Sequence, residues 1–250
     1  MDDIRRVFDT IPEQFDRWRP RYCPELFDYL VKECRLGPGV KCLEIGPGTG
    51  QATDFALDAG CDYLAVELGE HLAAFMREKY RQRPNFRLVN ADFETCDFGG
   101  ERFDLIYSAA AIQWIDEKIA FTKCLSLLKD GGTLAMFKTI GDYKTPDPAL
   151  YADVQKVYDK YFVTRSPYRQ QFHYERAEEY GFRDLRVVDF HGTRRYSADE
   201  YLAYIGTHSD HILLDPAYRE QFFTGIGEAI RAHGGKIAFA DTYRLYLCRR

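Results

Sequence analysis

No apolar run in this chain of 250 residues approaches the roughly 20 that a membrane-crossing helix requires. The opening residues Met1-Asp2-Asp3-Ile4-Arg5-Arg6 form no apolar leader. The chain therefore reads as cytoplasmic, with no membrane partner expected. A basic excess is also lacking. With 34 Lys+Arg against 39 Asp+Glu, the formal net charge is -5. A general nucleic-acid binder needs cations to displace phosphate counterions, so no nucleic-acid partner is expected. The seven cysteines are odd in number and contain no C-x-x-C pair, which argues against a disulfide framework or a zinc knuckle. Cys42, Cys61 and Cys124 sit in apolar runs and read as small core residues. Internal repeats and low-complexity stretches are absent as well.

What is present suits a sizeable core: 46% hydrophobic and 15% aromatic residues, with 29% charged residues for the surface. One domain over 1–250 is expected, oligomeric state being monomer or homodimer. Its parts would be a ligand-binding core at about 36–140, a cap with a late strand at about 141–235, and a final strand at 236–250. Strands are read at 40–45, 63–67, 87–89, 103–107 and 133–138, with helices at 51–57, 71–81 and 119–128 between them. Such alternation predicts an α/β fold with a mostly parallel sheet and helices on both faces. The rhythm then changes. Residues 141–184 read as helix and loop, 185–190 as a strand, 198–205 and 216–232 as helices, and 237–247 as a long last strand. The late pair makes the sheet mixed.

The sharpest feature is Glu44-Ile45-Gly46-Pro47-Gly48-Thr49-Gly50, between a strand and a helix. Glycines permit positive φ and let a ligand approach the backbone. A helix N-terminus behind them offers free N–H groups, and in open α/β sheets this is the ligand crevice. Dinucleotide turns space their glycines G-x-G-x-x-G. Here Gly46, Gly48 and Gly50 are each two apart and follow Glu44. A pyrophosphate disfavours a nearby carboxylate, whereas a ligand with an ammonium and a sulfonium favours one.

This segment resembles the first motif of the class I S-adenosylmethionine-dependent methyltransferases, and the likeness continues in order to about residue 140. It implies a Rossmann-like, seven-stranded, mostly parallel sheet with helices on both faces, an antiparallel last strand and a helical cap inserted after strand five. It also implies S-adenosyl-L-methionine as cofactor, held by Glu44, Gly46, Pro47, Gly48 and Gly50. Glu67 ends the second strand where the family places an acid on the ribose hydroxyls. Asn90-Ala91-Asp92-Phe93 resembles the adenine motif, with Asp92 accepting from the exocyclic amine and Phe93 packing on the ring. Phe103–Ser108 and Ala111-Ile112-Gln113-Trp114 resemble the fourth-strand segment, which brings Ser108 and Gln113 to the cofactor. Trp114 itself reads as a core aromatic. Leu128-Lys129-Asp130-Gly131-Gly132 looks like the turn into strand five. The lead Phe15–Pro24 resembles that of small-molecule members of the trans-aconitate and ubiquinone-biosynthesis type, where Arg19 and Tyr22 would help cover the cofactor.

The activity implied is methyl transfer to a small-molecule acceptor by in-line displacement. RNA or protein methylation, a non-catalytic cofactor-binding module and an NAD-dependent oxidoreductase stay as alternatives. A general base is needed only if the acceptor arrives protonated. His173, His208, His211 and Tyr143 are candidates for that role. His208-Ser-Asp-His211 has a metal-like spacing, but two histidines without a placed carboxylate read as surface helix residues, so no metal is expected. Arginines from Arg165 to Arg195 are interspersed with acids and read as a solvated, ion-paired face.

Overall fold

A computed structural model describes residues 3–141, 146–166 and 172–250. The chain forms two compact units. The core unit comprises Pro20–Thr139, Arg169–Phe190 and Tyr243–Arg250. The helical unit comprises Met1–Arg19, Ile140–Tyr168 and His191–Thr242.

The strands are β1 (Lys41–Ile45), β2 (Asp62–Glu67), β3 (Phe86–Asn90), β4 (Phe103–Ala109), β5 (Leu128–Gly141), β6 (Arg183–Ser197) and β7 (Lys236–Arg249). They make one seven-stranded sheet in the order β3-β2-β1-β4-β5-β7-β6. β1 through β5 pair in parallel, and the last strands are antiparallel, so the sheet is mixed and of the Rossmann-like kind expected. The order reverses between β1 and β4. The C-terminal ends of these strands therefore splay apart, which is where such sheets bind ligands.

The helices of the core unit are α2 (Pro24–Glu33), α3 (Asp54–Asp58), α4 (Glu70–Lys79) and α5 (Glu117–Leu127). β1 is buried from Cys42 to Ile45, as a strand covered on both faces must be. Its alternate residues part to opposite sides. Leu43 and Ile45 join Ile106, Met136 and Phe121 of α5. Cys42 joins Tyr63, Tyr107, Phe137 and Leu26 and Leu30 of α2. α2 starts at Pro24, whose missing N–H is no loss there. α5 starts at Asp116, whose carboxylate accepts from Ile119 N at 3.0 Å. Cys42, Cys61 and Cys124 are fully buried and free, as their apolar neighbours predicted.

The helical unit holds α1 (Pro12–Trp18), α6 (Pro148–Tyr161), α7 (Ala198–Ile205), α8 (Ser209–Ile212) and α9 (Pro216–Ala232). Its centre is Leu150, Val154, Tyr201, Ile205, Phe222, Ile226 and Ile230. Asp147 and Asp215 cap α6 and α9, each followed by a proline in the first turn. Ser197 and Glu200 form a reciprocal capping box on α7. Among the described residues, no helix is long and apolar enough to cross a membrane.

Candidate functional site: the glycine turn after β1

The turn leaves the end of β1 at the sheet's switch point. Gly46, Gly48 and Gly50 have φ of 65°, 60° and 90°, a region that side-chain-bearing residues rarely adopt. Two of them are also close-packed. A Cβ on Gly46 would lie 2.5 Å from Ala111 Cβ, and one on Gly50 would lie 2.6 Å from the Tyr80 hydroxyl. Pro47 between them is buried. The turn is thus a backbone surface held against the body of the unit.

Glu44 is fully buried beneath the turn. Its Oε2 accepts from Tyr63 OH at 2.5 Å, Thr53 Oγ1 at 2.7 Å and Tyr107 OH at 3.0 Å. Tyr107 is its direct neighbour on β4, and Tyr63 lies two residues before its β2 neighbour Ala65, hence on the same face. Its Oε1 is buried with no hydrogen-bond partner among the described residues. Burial raises the carboxyl pKa, the three hydroxyls partly oppose this, and the value settles at about 7. A buried acid with one unmatched oxygen is costly unless something cationic meets it.

Glu67, at the end of β2, is only 6% exposed. Its Oε2 accepts from Gly48 N at 3.0 Å and its Oε1 from Gly69 N at 2.9 Å. The second acid therefore grips the turn. Asn90 ends β3 and points its amide nitrogen at the carbonyls of Glu67, Leu68 and Gly69, at 2.8, 3.3 and 3.2 Å. Asp92 stands just beyond, part-buried, with Oδ1 accepting from Glu94 N at 2.9 Å. Two cations close the far side of the turn. Lys79 Nζ donates to Thr49 O, and Arg21 Nη1 to Gly50 O, both at 2.8 Å.

Other expected site residues make contacts within the protein. Phe93 is 4% exposed and belongs to the core, packed on Phe98 with the Lys123 ammonium 5.2 Å from its ring centre. Its ring is held by protein neighbours, because the chain turns inward after Asp92. Ser108 is fully buried and works as a staple, donating to Ile45 O at 3.0 Å and accepting from Ile112 N at 2.9 Å. Gln113 is tied by Ala110 O and Tyr174 OH, at 2.9 and 2.8 Å. Trp114 is half-buried rather than a core residue. Tyr22 packs edge-on against Phe137 at 4.9 Å. Arg19 belongs to the helical unit, where Nη2 donates to Thr207 O at 2.9 Å beneath the rings of Phe8 and Phe15.

The base candidates do not form one group. His173 is exposed in the core unit, its Nδ1 3.0 Å from Glu117 Oε2 at the start of α5. His208 and His211 lie in the helical unit. His211 is 4% exposed, so it is not the surface helix residue expected. Tyr158, Phe162 and Phe222 pack around its ring. Tyr143 lies outside the described residues. The sequence reading missed Tyr63, Tyr107 and Thr53 around Glu44, and Arg21 and Lys79 on the turn. Tyr63 and Tyr107 carried one usable signal, a phenol at the register of a buried acid on neighbouring strands.

A reversed-order parallel sheet, a turn of alternating glycines and an acid at the end of β2 make this a Rossmann-like ligand-binding fold. Residues 43–136 match the sequence model of the methyltransferase domain. The malonyl-[acyl-carrier protein] O-methyltransferase of Enterobacter lignolyticus is 32% identical over 108 residues, which are 43% of this chain and 41% of that enzyme. The chain thus matches about two fifths of that relative's length. A provisionally assigned type II methyltransferase from Anaeromyxobacter dehalogenans has a similar fold, with a TM-score of 0.69 at 20% identity, covering 92% of this chain and 97% of that one. A Haemonchus contortus phosphoethanolamine N-methyltransferase, solved with phosphomonomethylethanolamine and S-adenosylhomocysteine, gives 0.59 at 16% identity, covering 100% of this chain and 60% of that one.

Proposed function

We propose that this chain transfers the methyl group of S-adenosyl-L-methionine to a small-molecule acceptor. The observation that carries this reading is the buried Glu44 oxygen that has no hydrogen-bond partner among the described residues, under a turn whose glycines hold φ values that other residues rarely adopt. The residues fit the cofactor's chemistry. Glu44 supplies negative charge to an ammonium-bearing ligand, where a pyrophosphate would be repelled. Glu67, at the end of β2, is the acid placed to meet a vicinal diol. Asp92, just beyond β3, is the carboxylate placed to accept from an exocyclic amine. Ser108, by tying β4 to Ile45, fixes the spacing of the two strand ends between which the ligand would lie.

The sulfonium, when bound, brings an already activated methyl group. The chain then has only to hold an acceptor in line with the breaking bond, a task for which orientation supplies roughly 7–11 kcal/mol. No side chain need be methylated along the way. The small-molecule acceptor is supported by the likeness of the N-terminal lead to small-molecule methyltransferases and by the acidic charge balance.

The test is a thermal-shift comparison on the full chain. At a hundredfold excess over its dissociation constant, S-adenosylhomocysteine should stabilise the fold by about 2.7 kcal/mol. NAD should leave the melting temperature unchanged. A shift with NAD and none with S-adenosylhomocysteine would replace this reading with an oxidoreductase.

A further inference from the structure

The helical unit contains a polar cluster of its own. The chain leaves α7, turns through Thr207 and enters α8 with His208 at its N-cap. The short helix brings His208 and His211 to one side, ring centres 5.3 Å apart and nearly perpendicular. Asp210 lies between them in sequence. One ligand atom from each of the three lies within 4.8 Å of the others. The carboxylate whose absence argued against a metal at the His-Ser-Asp-His spacing is therefore in place.

We propose that His208, Asp210 and His211 form a binding site for a divalent ion of the zinc class. His211 is the fixed member. Its Nε2 lies 3.0 Å from Tyr158 OH and its Nδ1 2.7 Å from Asp210 Oδ1. Tyr158 thus holds one ring nitrogen, and an ion on the other would replace its contact with Asp210 Oδ1. With metal on Nδ1, the Nε2 proton is donated to the phenolic oxygen, the kind of outer partner that orients a ligating imidazole. Asp210 accepts His211 N at 2.9 Å through Oδ1, so Oδ2 is the oxygen it offers.

His208 makes ring contacts with Tyr204 and His211, and its side chain has no hydrogen bond among the described residues. Zinc bonds of about 2.0–2.2 Å bring tetrahedral ligand atoms roughly 3.3–3.6 Å apart. Closing the set therefore takes only side-chain adjustment of His208 and of Asp210, whose side chain is 45% exposed.

Asp210 gives the cluster its carboxylate, and His208 and His211 give it two imidazoles. Imidazole with carboxylate is a ligand set for zinc-class ions rather than for magnesium or calcium, which prefer all-oxygen cages.

The experiment is a zinc titration of the chelator-stripped full chain against a chromophoric competitor. One equivalent per chain should bind, and excess magnesium should not displace it. His208→Ala and Asp210→Asn should each weaken binding by about tenfold or more. Both side chains are partly exposed, and matching far-ultraviolet dichroism checks that the variants fold. His173→Ala, in the other unit, should bind as the parent does. Absence of stoichiometric zinc binding, or affinity that both cluster variants keep, overturns the proposal.

Discussion

Two buried carboxylates show how differently the units use the same kind of group. Asp241 in the helical unit is 2% exposed and meets Arg194 through both oxygens, with the guanidinium also stacked 4.8 Å from the Tyr204 ring centre. Its charge is matched inside the fold. Glu44 in the core unit is equally buried, yet it has three hydroxyls on one oxygen and, among the described residues, no hydrogen-bond partner on the other. A charge satisfied by the chain serves the fold. A charge left unsatisfied burdens it, and is retained where a ligand completes the set.

The comparison can be broken by removing each charge. Asp241→Asn strands a buried guanidinium and should cost about 3–5 kcal/mol in denaturant unfolding. Glu44→Gln should act in the opposite direction. The unfolded carboxyl ionises near 4.5 and the folded one near 7, so the folded form holds the extra proton between those values. Parent stability therefore declines as pH rises from about 4.5 to about 7 and is level above that, with a total fall of ~3 kcal/mol. Glu44→Gln removes this slope. At pH 8 it should be more stable than the parent by up to about 3 kcal/mol, while binding S-adenosylhomocysteine more weakly. If Glu44→Gln destabilises the fold at pH 8, the contrast with Asp241 fails. The smallest effect sharpens the contrast by leaving buried charge alone. Ser197→Ala opens the capping box of α7 and should cost about 1 kcal/mol at any pH where Glu200 is ionised, read from the melting temperature.

The first 140 residues were legible because apolar runs, glycines and caps agreed. β1 was expected at 40–45 and spans Lys41–Ile45; α7 and α9 were expected at 198–205 and 216–232 and span Ala198–Ile205 and Pro216–Ala232. β6 was expected over 185–190 and spans Arg183–Ser197. Its residues alternate between exposed and half-buried with few apolar side chains after Phe190, so its far half sends no hydrophobic signal. α6 was lost within a segment read only as helix and loop, although Asp147 and Pro148 announce its start. At the site, the glycines and both acids were visible because they are contiguous or end a strand. The Tyr63, Thr53 and Tyr107 cage was not, since it is assembled across three chain segments. The packing of Phe93 on Phe98 was not legible, because a motif fixes order along the chain, not the direction in which a ring turns.

The Asn90 amide has a chemical consequence for the protein's lifetime. One nitrogen serves three backbone oxygens of the segment after β2. Spontaneous deamidation would replace that donor with a second carboxylate oxygen, setting anion against carbonyl dipoles just where Glu67 anchors Gly48. Slow ageing of the purified protein would then surface as loosening of this segment while the rest of the sheet stays intact.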